Sequence, residues 1–570
     1  MSNGSDVREP ARVAIATLAT GVSGLDDVLG GGLPEYSFNL IVGTPGVGKT
    51  TLAHQIMFAL ASPERPALYF TLLGEPTIKM LRYQQQFSFF DPEQVGGSIH
   101  FQDLSDAVLT QDLDRVLERI VRQVEETNPS LVVVDSFQTV VRAISGQEGG
   151  DLGLQAFVQR LAVHLTTWQA TTFLIGEYVG DEMQGNAVFT VADGVVQLTQ
   201  SADRNSVVRK LQVLKCRGQA PMPGLHTFRI TQDGMQVFPR IGTIIPRHER
   251  DGAPLHAPTG VAGLDAVLGG GIPTGDAVLL SGAAGTGKSL LATQFIATGA
   301  QRGEPGVIAV FEERPREYIR RAGGLGVDLE ALVRRGAVEV IYIRPLDLSP
   351  DETLLEISAA VQRIGARRVV IDSVSGFELA LASSFRDDFR ESLYRLVTAL
   401  TGTGVTVLLT MEIIQSASEL RLSPYLTSFL TDDILLLRYV EIDGRMEKAL
   451  TALKMRNSAH SREFWRYEIT EHGLIVRESL RGYRGISTGV AERRDGADRL
   501  AYPALTDRET VVLQALVELG EASAEALGQR SGMQEPELAA SLARLVALRY
   551  ASQQPGDAAG VYRPLVRRSA

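Results

Sequence analysis

Two glycine-rich stretches of this sequence end in a lysine and a hydroxyl residue, the pattern of a phosphate-binding loop. Each reads G-x-x-x-x-G-K-[ST], follows an apolar run and precedes a predicted helix. In such a loop the backbone N–H groups surround the phosphates, the lysine adds positive charge and the hydroxyl faces Mg²⁺. A glycine-rich turn without a ligand is the alternative, and the setting disfavours it. The first loop comprises Gly43, Thr44, Pro45, Gly46, Val47, Gly48, Lys49 and Thr50, and the second comprises Gly282, Ala283, Ala284, Gly285, Thr286, Gly287, Lys288 and Ser289.

The two loops belong to a long internal repeat. Lys49 and Lys288 are 239 positions apart, and the same offset relates T-G-V-S-G-L-D at 20–26 to T-G-V-A-G-L-D at 259–265. It also relates Lys215 to Lys454 and Arg217 to Arg456. A repeat of this length is a whole domain and not a solenoid unit, so the sequence predicts two nucleotide-binding domains in tandem.

An aspartate ends a strongly apolar run in each repeat. Asp135 follows L-V-V-V, and Asp372 follows V-V-I. A buried strand that ends in a turn aspartate is common, but paired with a phosphate loop such a carboxylate holds the water shell of Mg²⁺. We therefore expect ATP and Mg²⁺ as cofactors, with Thr50 and Asp135 at the first metal site and Ser289 and Asp372 at the second.

The composition excludes several classes of protein. The chain has 570 residues and a formal net charge of −11, which argues against broad attraction to nucleic acid. Its one cysteine, Cys216, excludes an internal disulfide framework and is typical of a reducing cytoplasm. The histidines lack metal-ligand spacing, so no structural zinc site is expected. No signal peptide or apolar run of membrane-spanning length is visible, and we expect a cytoplasmic protein without a membrane segment.

Strand-like and helix-like stretches alternate along both repeats, which predicts an α/β fold with mostly parallel sheets. Beyond them, three short amphipathic stretches and a turn before Val561 predict a small winged-helix-like domain. The expected organisation is a flexible N-terminus at 1–16, a first P-loop domain at 17–246, a second at 247–487, a linker at 488–505 and the winged-helix-like domain at 506–570.

These motifs together resemble the family of tandem RecA-type ATPases related to KaiC, over about 15–486. The resemblance implies a two-tiered homo-oligomer, a hexamer, that binds nucleotides between neighbouring subunits, hydrolyses ATP and autophosphorylates on Ser or Thr in its second tier. It implies that Glu312 and Glu313 activate the attacking water or hydroxyl. Lys454 and Arg456, two apart on a predicted strand and on one face of it, would enter the adjoining subunit's site, as would Lys215 and Arg217 in the first tier. A solvated turn and an exposed basic edge strand are the alternatives for these two features.

The sequence departs from the family pattern at two places. Leu73 and Gly74 stand where the first repeat should carry the glutamate pair, and Glu75 follows one residue later. Either the strand end is shifted so that Glu75 serves, or this tier binds ATP and hydrolyses it poorly, and we favour slow or absent hydrolysis in the first tier. The family's adjacent phosphorylation sites align with Ser428 and Phe429, so one acceptor is lost. Single-site modification at Ser428, with Ser423 and Thr427 as nearby substitutes, remains as the expectation.

The partners follow from the same resemblance. It implies a KaiB-like protein partner, about which this chain itself says nothing. The family's tail that contacts KaiA is not recognisable after Ile486, so no KaiA-type partner is expected.

Three functions are compatible with these features. The first is an oligomeric ATPase and autokinase in signalling or timing. The second is a RecA-like DNA-associated ATPase that uses its C-terminal domain to hold DNA, although the acidic balance and the lack of a basic, aromatic-rich loop disfavour it. The third is a nucleotide-gated scaffold with little turnover.

Overall fold

The structure is a computed structural model that describes residues 15–72, 77–106, 113–137, 150–178, 187–203, 206–240, 255–343, 348–381, 385, 389–413, 430–456, 458–493, 505–553 and 561–565. The chain divides into two compact units, Met1–Ile241 and Gly242–Ala570. Helices and strands are numbered below in chain order. Each unit contains a large sheet of its own.

The first unit is built on a nine-stranded sheet in the order β11-β10-β9-β8-β3-β7-β6-β4-β5. The six strands from β8 to β5 are parallel, and β9, β10 and β11 extend the sheet antiparallel. A short pair, β1 (Thr17–Leu18) and β2 (Leu33–Pro34), lies outside this sheet. The strands of the sheet are β3 (Phe38–Gly43), β4 (Ala67–Thr71), β5 (Ile99–Asp103), β6 (Leu131–Asp135), β7 (Thr171–Gly176), β8 (Gly194–Asp203), β9 (Ser206–Cys216), β10 (His226–Thr231) and β11 (Gly234–Phe238).

Helices connect the parallel strands of the first unit. They are α1 (Leu25–Leu29), α2 (Lys49–Leu60), α3 (Thr77–Gln84), α4 (Leu113–Thr127), α5 (Gly150–Thr167) and α6 (Ala187–Val191). The central strands β3, β4 and β7 are buried along their whole length because helices and loops cover both faces of the sheet. Apolar side chains from the two faces of the sheet form two separate clusters in this unit.

The second unit repeats this strand order. Written from the opposite edge of the sheet, it is β16-β15-β17-β18-β14-β19-β20-β21-β22. A short pair, β12 (His256–Ala257) and β13 (Ile272–Pro273), again lies outside the sheet. The six strands from β16 to β19 are parallel, and the last three are antiparallel. The strands are β14 (Ala277–Gly282), β15 (Gly306–Val310), β16 (Val338–Tyr342), β17 (Arg368–Asp372), β18 (Thr406–Glu412), β19 (Asp433–Ile442), β20 (Arg445–Lys454), β21 (Trp465–Thr470) and β22 (Gly473–Ser479).

Seven helices of the second unit accompany this sheet in the described residues. They are α7 (Leu264–Val267), α8 (Lys288–Gln301), α9 (Pro315–Gly323), α10 (Leu329–Arg334), α11 (Pro350–Ile364), α12 (Val374–Ala380) and α13 (Phe389–Gly402). The predicted fold class, two tandem RecA-like α/β domains with mostly parallel sheets, is confirmed.

Part of the predicted linker belongs to the sheet instead. The strands β23 (Tyr483–Arg484) and β24 (Val490–Arg493) pair with each other, and β24 also pairs with β19. The reason is that β19 continues past the end of β14, so its Glu441 and Ile442 have an edge that another strand can occupy. Residues 494–504, the rest of the predicted linker, lie outside the described part of the chain, and the other predicted domain boundaries stay predictions.

The last described part, residues 505–553 and 561–565, is named the C-terminal segment. It contains helices α14 (Asp507–Leu519), α15 (Ala524–Ser531) and α16 (Glu535–Ala547) and a small antiparallel sheet of β25 (Ala522–Ser523), β26 (Ala551–Gln553) and β27 (Val561–Pro564). The helices surround their own apolar cluster, which includes Leu513, Leu516, Leu542 and Leu545. These are the helices and the strand pair that the sequence predicts, while the winged-helix interpretation stays a prediction. Within the described residues, no helix has both the length and the apolar character needed to span a lipid bilayer.

Candidate nucleotide-binding sites

Both phosphate loops lie at the carboxyl edge of their sheets, directly after the central strands β3 and β14. Each loop leads into a helix, and the glycine before the lysine has a left-handed backbone, with φ of 112° at Gly48 and 96° at Gly287. A Cβ at Gly48 would lie 2.6 Å from Ile230, and one at Gly287 would lie 2.9 Å from Ile469. Glycine is therefore required twice over at this position, by the backbone conformation and by the space available.

The loop lysines have the same contacts in the two units. Lys49 Nζ donates to the carbonyl oxygens of Gly43 and Thr44 at 2.9 Å each, and Lys288 Nζ donates to those of Gly282 and Ala283 at 2.9 Å each. Burial lowers the pKa of both lysines, while nearby carboxylates oppose that lowering. Each ammonium group is thus held inside its loop, where it can meet phosphate oxygens.

The strand aspartate of the first unit accepts two hydrogen bonds on one oxygen. Thr50 Oγ1 and the hydroxyl of Tyr69 each donate to Asp135 Oδ2 at 2.7 Å. Burial raises the pKa of Asp135, whereas the hydrogen bonds from Tyr69 and Thr50 and the charge of Lys49 oppose that rise. The structure therefore brings together the two residues that the sequence assigns to the first metal site.

The strand aspartate of the second unit has a different partner. Asp372 Oδ1 accepts a hydrogen bond from Thr410 Oγ1 on β18 at 2.5 Å. Ser289 lies half-buried next to Lys288, and its backbone carbonyl accepts from Thr293. Ile308 stands where the first unit has Tyr69, so the tyrosine bond to the aspartate cannot form in the second unit.

Glu312 and Glu313 follow β15 at the same edge of the sheet but face different groups. Glu312 Oε1 accepts from Ser373 Oγ at 2.8 Å, and its charge is among those that oppose the lowered pKa of Lys288. Glu313 instead forms an ion pair with Arg321 on α9. A Cβ at Gly376 would lie 2.9 Å from Glu312 Oε1, so the close approach of α12 also depends on glycine. Of the predicted pair, Glu312 is the glutamate that faces the site.

The basic triplets lie at the opposite edge of the sheet from the phosphate loops. Lys454 is paired with Ile434 near the start of β19, whereas Gly282, at the loop, is paired with Leu437. The first unit has the same arrangement, since Lys215 is paired with Val195 near the start of β8 and Gly43 with Leu198. The triplets therefore face away from the phosphate loop of their own unit.

Carbonyls and aspartates hold the triplets at that edge. Lys454 Nζ donates to Thr431 O at 2.6 Å, and Lys215 Nζ donates to Thr190 O at 3.1 Å. Arg456 pairs with Asp432 at 3.4 Å, and Arg217 with Asp193 at 3.1 Å. The side chains of Arg456 and Arg217 remain 50% and 60% exposed, so both can reach outward.

The prediction that both members of the second triplet lie on a strand is wrong for Arg456. Strand β20 ends at Lys454. The backbone N–H of Arg456 donates to the side chain of Asp433 at 3.2 Å instead of to a neighbouring strand, and this contact turns the chain out of the sheet. Burial, Asp276 and Asp432 raise the pKa of Asp433 to about 7, while the Arg456 N–H and Lys454 oppose that rise.

Sequence reasoning missed a carboxylate in each site. Glu177 follows β7 and Glu412 ends β18, so both reach the carboxyl edge beside the central strand. The charge of each opposes the lowering of the pKa of its loop lysine more strongly than any other carboxylate does. The signal was present, because T-T-F-L-I-G-E at 171–177 matches T-V-L-L-T-M-E at 406–412. Tyr69, whose hydroxyl reaches Asp135, gave no such signal because its match is Ile308.

Several predicted residues lie outside the described part of the chain. These are Leu73, Gly74 and Glu75 of the first repeat, and Ser423, Thr427, Ser428 and Phe429 of the second.

Comparison with known proteins identifies relatives over most of the chain. The family model described as "ATPase: KaiC" matches twice, at residues 18–241 and 257–481. Three proteins with the name circadian clock oscillator protein KaiC, or KaiC 1, are similar to the chain. That of Thermosynechococcus vestitus is 30% identical over 501 residues, covering 86% of this chain and 94% of the relative. That of Rippkaea orientalis is 29% identical over 503 residues, covering 86% and 95%. KaiC 1 of Synechocystis sp. is 29% identical over 495 residues, covering 85% and 93%.

Proposed function

The chain belongs to the KaiC family of ATPases, and on that premise we propose that it is an ATP-dependent oligomeric enzyme whose second unit carries the main chemistry. The proposal rests on one observation. Lys288, Asp372 and Glu312 come from three different elements and meet at the carboxyl edge of one sheet, with Glu312 fixed by Ser373. A phosphate-binding cation, a metal-binding carboxylate and a carboxylate base are the groups that phosphoryl transfer needs.

In the proposed mechanism the loop binds the phosphates of ATP through its N–H groups and Lys288. Glu312 then orients the attacking water or hydroxyl and accepts its proton as the new bond to the γ-phosphorus forms, while the bond from that phosphorus to the β–γ bridging oxygen breaks and ADP leaves. The hydroxyl of Ser373 donates to Glu312 and so holds the carboxylate in one orientation. This arrangement contributes mainly by positioning, because phosphoryl transfer has little covalent chemistry for a protein to perform.

Residues of the first unit fit a magnesium ion, and the second unit has the same types of residue at the matching positions. In the first unit Thr50 and Asp135 oxygens lie 2.7 Å apart, so a hydroxyl and a carboxylate face one another as the oxygen ligands of Mg²⁺ do. We propose Thr50 and Asp135 for the first site and Ser289 and Asp372 for the second. When bound, Mg²⁺ neutralises charge on the phosphate oxygens.

For the first unit we propose nucleotide binding with slow or absent hydrolysis. Its loop, lysine and aspartate match those of the second unit. Its sequence has Leu73 and Gly74 in place of the glutamate pair, and neither residue has a side-chain group that can accept a proton. Nucleotide in this unit would then support assembly more than turnover.

We further propose that the basic triplets act on the site of a neighbouring subunit, in a ring that we expect to be a hexamer. Lys454 and Arg456 lie at the edge of the sheet opposite to their own phosphate loop, so within their subunit they cannot reach its phosphates. The exposed guanidinium of Arg456 is free to turn outward from a carboxylate 3.4 Å away. The same argument applies to Lys215 and Arg217.

The proposal also includes autophosphorylation of the chain. We propose Ser428 as the acceptor, because it aligns with a family phosphorylation site while Phe429 replaces the other. The names of the relatives support a role in signalling or timing. A KaiB-like partner is proposed on the same basis, and a KaiA-type partner is not.

We do not propose DNA binding by the C-terminal segment. The exposed residues of α16 include Glu535 and Glu537, and its exposed Arg544 is paired with Glu509 at 3.3 Å. A helix that enters the major groove needs cations directed at the phosphates. Helix α16 instead presents acidic side chains and an arginine that is already paired with a glutamate.

The experiment that tests this function follows two products from one reaction. Purified chain is incubated with Mg²⁺ and ATP, ADP release is recorded and phosphopeptides are identified by mass spectrometry. ADP release together with phosphate on Ser428, both lost in Glu312→Gln, is the expected result. ADP release without a phosphopeptide would remove the kinase part, and ATP binding without ADP release would favour a nucleotide-gated scaffold.

A further inference from the structure

A β-hairpin lies directly against the second phosphate loop. It is formed by β21 and β22, and the buried hydroxyl of Tyr467 donates to the backbone carbonyl of Thr286 at 2.6 Å. Ile469 of the same hairpin lies against Gly287 in the loop. In a trans peptide unit the C=O and the N–H point in opposite directions. By holding the Thr286 carbonyl, Tyr467 therefore directs the N–H of Gly287 away from the hairpin.

The first unit has the same hairpin without this hydrogen bond. Phe228 stands 239 residues before Tyr467, and Ile230 and Met235 lie against Gly48 as Ile469 and Leu474 lie against Gly287. Because phenylalanine has no hydroxyl, the loop carbonyl of Val47 cannot be held in this way. The tyrosine bond is thus a property of the second site.

The C-terminal segment holds the outer strand of the same hairpin. The hydroxyl of Tyr550 donates to Val476 O at 3.2 Å, and Val476 is the residue paired with Tyr467 in the β21–β22 ladder. Arg477 donates to Leu565 O at 2.8 Å, and Arg549 donates to His472 O at 3.2 Å. A short series of contacts therefore runs from Tyr550 through the hairpin to the phosphate loop.

The junction between the C-terminal segment and the hairpin is open on one side. A cleft of about 710 Å³ lies beside it, lined by residues of β20, β21 and β22 and by Pro564 and Leu565. Charged side chains are prominent in this lining, among them Glu447, Lys448 and Glu468. Water can enter such a polar cleft and replace the hydrogen bonds of Arg477 and Arg549 across the junction, whereas release of Tyr550 also exposes a side chain of the segment's apolar cluster.

We propose that the C-terminal segment controls nucleotide release from the second site through this hairpin, with Tyr467 as the positioning residue. While the segment is docked, Tyr467 holds the loop with its N–H groups directed at the phosphates, and ADP is retained. When the segment detaches, the hairpin relaxes, the Thr286 carbonyl turns and ADP leaves faster. The inference rests on the proposed function in one respect, that the second loop binds nucleotide.

The test uses the full chain with Lys49→Ala, so that bound nucleotide reports on the second site alone. The measured quantity is the dissociation rate of a fluorescent ADP analogue. Tyr467→Phe and Tyr550→Phe are each expected to speed dissociation by about three- to tenfold, the effect of one lost hydrogen bond. The double variant is expected to be no faster than the faster single variant, because the two bonds act in one series. Additive effects, or a Tyr550→Phe rate equal to that of the parent, would overturn the proposal.

Matched controls separate this effect from general damage. Tyr562→Phe makes the same change in the C-terminal segment, on β27 within its own sheet, and should leave dissociation unchanged. Arg549→Ala, at an exposed residue, should speed dissociation even if Tyr550→Phe melts at a lower temperature. A parent protein that does not bind the analogue would contradict the proposed function itself, whereas normal binding with unchanged variants would contradict this inference alone.

Discussion

Glu312 and Glu313 are neighbours in the chain but face different partners, since Glu312 accepts a hydrogen bond from Ser373 and Glu313 is paired with Arg321. Adjacent residues after a strand point in different directions, so one of the two turns toward the phosphate loop and the other toward α9. Of the two adjacent glutamates, Glu312 is therefore the candidate base and Glu313 belongs to a surface ion pair.

Glu312→Gln is expected to lower ATP turnover by about 10²–10⁴-fold, the usual contribution of a positioned base. Glu313→Gln is the matched control and should change turnover by less than about threefold, because a partly exposed ion pair contributes little. Steady-state ADP release by the two variants decides this. Equal losses in both would show that the pair acts as a unit, and an unchanged Glu312→Gln would move the base elsewhere.

Each of the two phosphate loops should bind one nucleotide. Lys288→Ala and Lys49→Ala are each expected to reduce the stoichiometry from two nucleotides per chain to one, because each lysine is held within its own loop. Equilibrium dialysis with ATP and Mg²⁺ measures the number directly. Lys288→Ala should also abolish most turnover, and retention of two bound nucleotides in either variant would contradict the site assignment.

Arg456→Ala is expected to lower turnover by about 10³-fold if its guanidinium enters the neighbour's site. Mixing these subunits with Glu312→Gln subunits, which have a dead site but an intact arginine, should restore activity above that of either protein alone. Arg217→Ala, the match in the first unit, is the control and should leave second-site turnover unchanged. An absence of complementation would assign Arg456 a role within its own subunit.

The first metal site should become sensitive to pH when Tyr69 loses its hydroxyl. Burial raises the pKa of Asp135 and the Tyr69 hydrogen bond opposes that rise, so Tyr69→Phe should raise this pKa further. Binding of ATP with Mg²⁺ needs the ionised carboxylate and should therefore weaken at a higher pH in the variant than in the parent, both carrying Lys288→Ala. The control is a titration of the second site in chains that carry Lys49→Ala, with and without Tyr69→Phe, because Ile308 stands there in place of Tyr69.

Asp433 should make the second unit less stable as pH rises. Its pKa is raised from 3.8 to about 7, mainly by burial, so between these values the folded state holds a proton that the unfolded chain has lost. Stability is then greatest below pH 4 and declines as pH approaches and passes 7, by at most about 4 kcal/mol for this group. Asp433→Asn cannot ionise, so its melting temperature should fall less than that of the parent between pH 5 and pH 8. Melting temperatures that fall equally with pH in the variant and the parent would contradict the raised pKa of Asp433.

The sequence by itself determined the repeat, the fold class and the residues of both phosphate loops. These features depend on local patterns: apolar runs that form buried strands, glycines that permit a left-handed turn, and a lysine at a set distance from them. An offset of 239 residues related the phosphate loops and the basic triplets of the two units, and the strand aspartates Asp135 and Asp372 match at a similar spacing. Glu177 and Glu412 could have been found by extending the same comparison.

The tertiary structure alone decided which side chains face one another across the fold. Pairing of β20 with β19 placed Lys454 at the edge away from its own phosphate loop, and the contact of Arg456 with Asp433 ended the strand early. The separation of Glu312 from Glu313, and the bond from Tyr467 to Thr286, likewise depend on contacts between distant parts of the chain. Spacing along a sequence sets local geometry, but strand register and packing set distances between remote residues, and these determine which groups can act together.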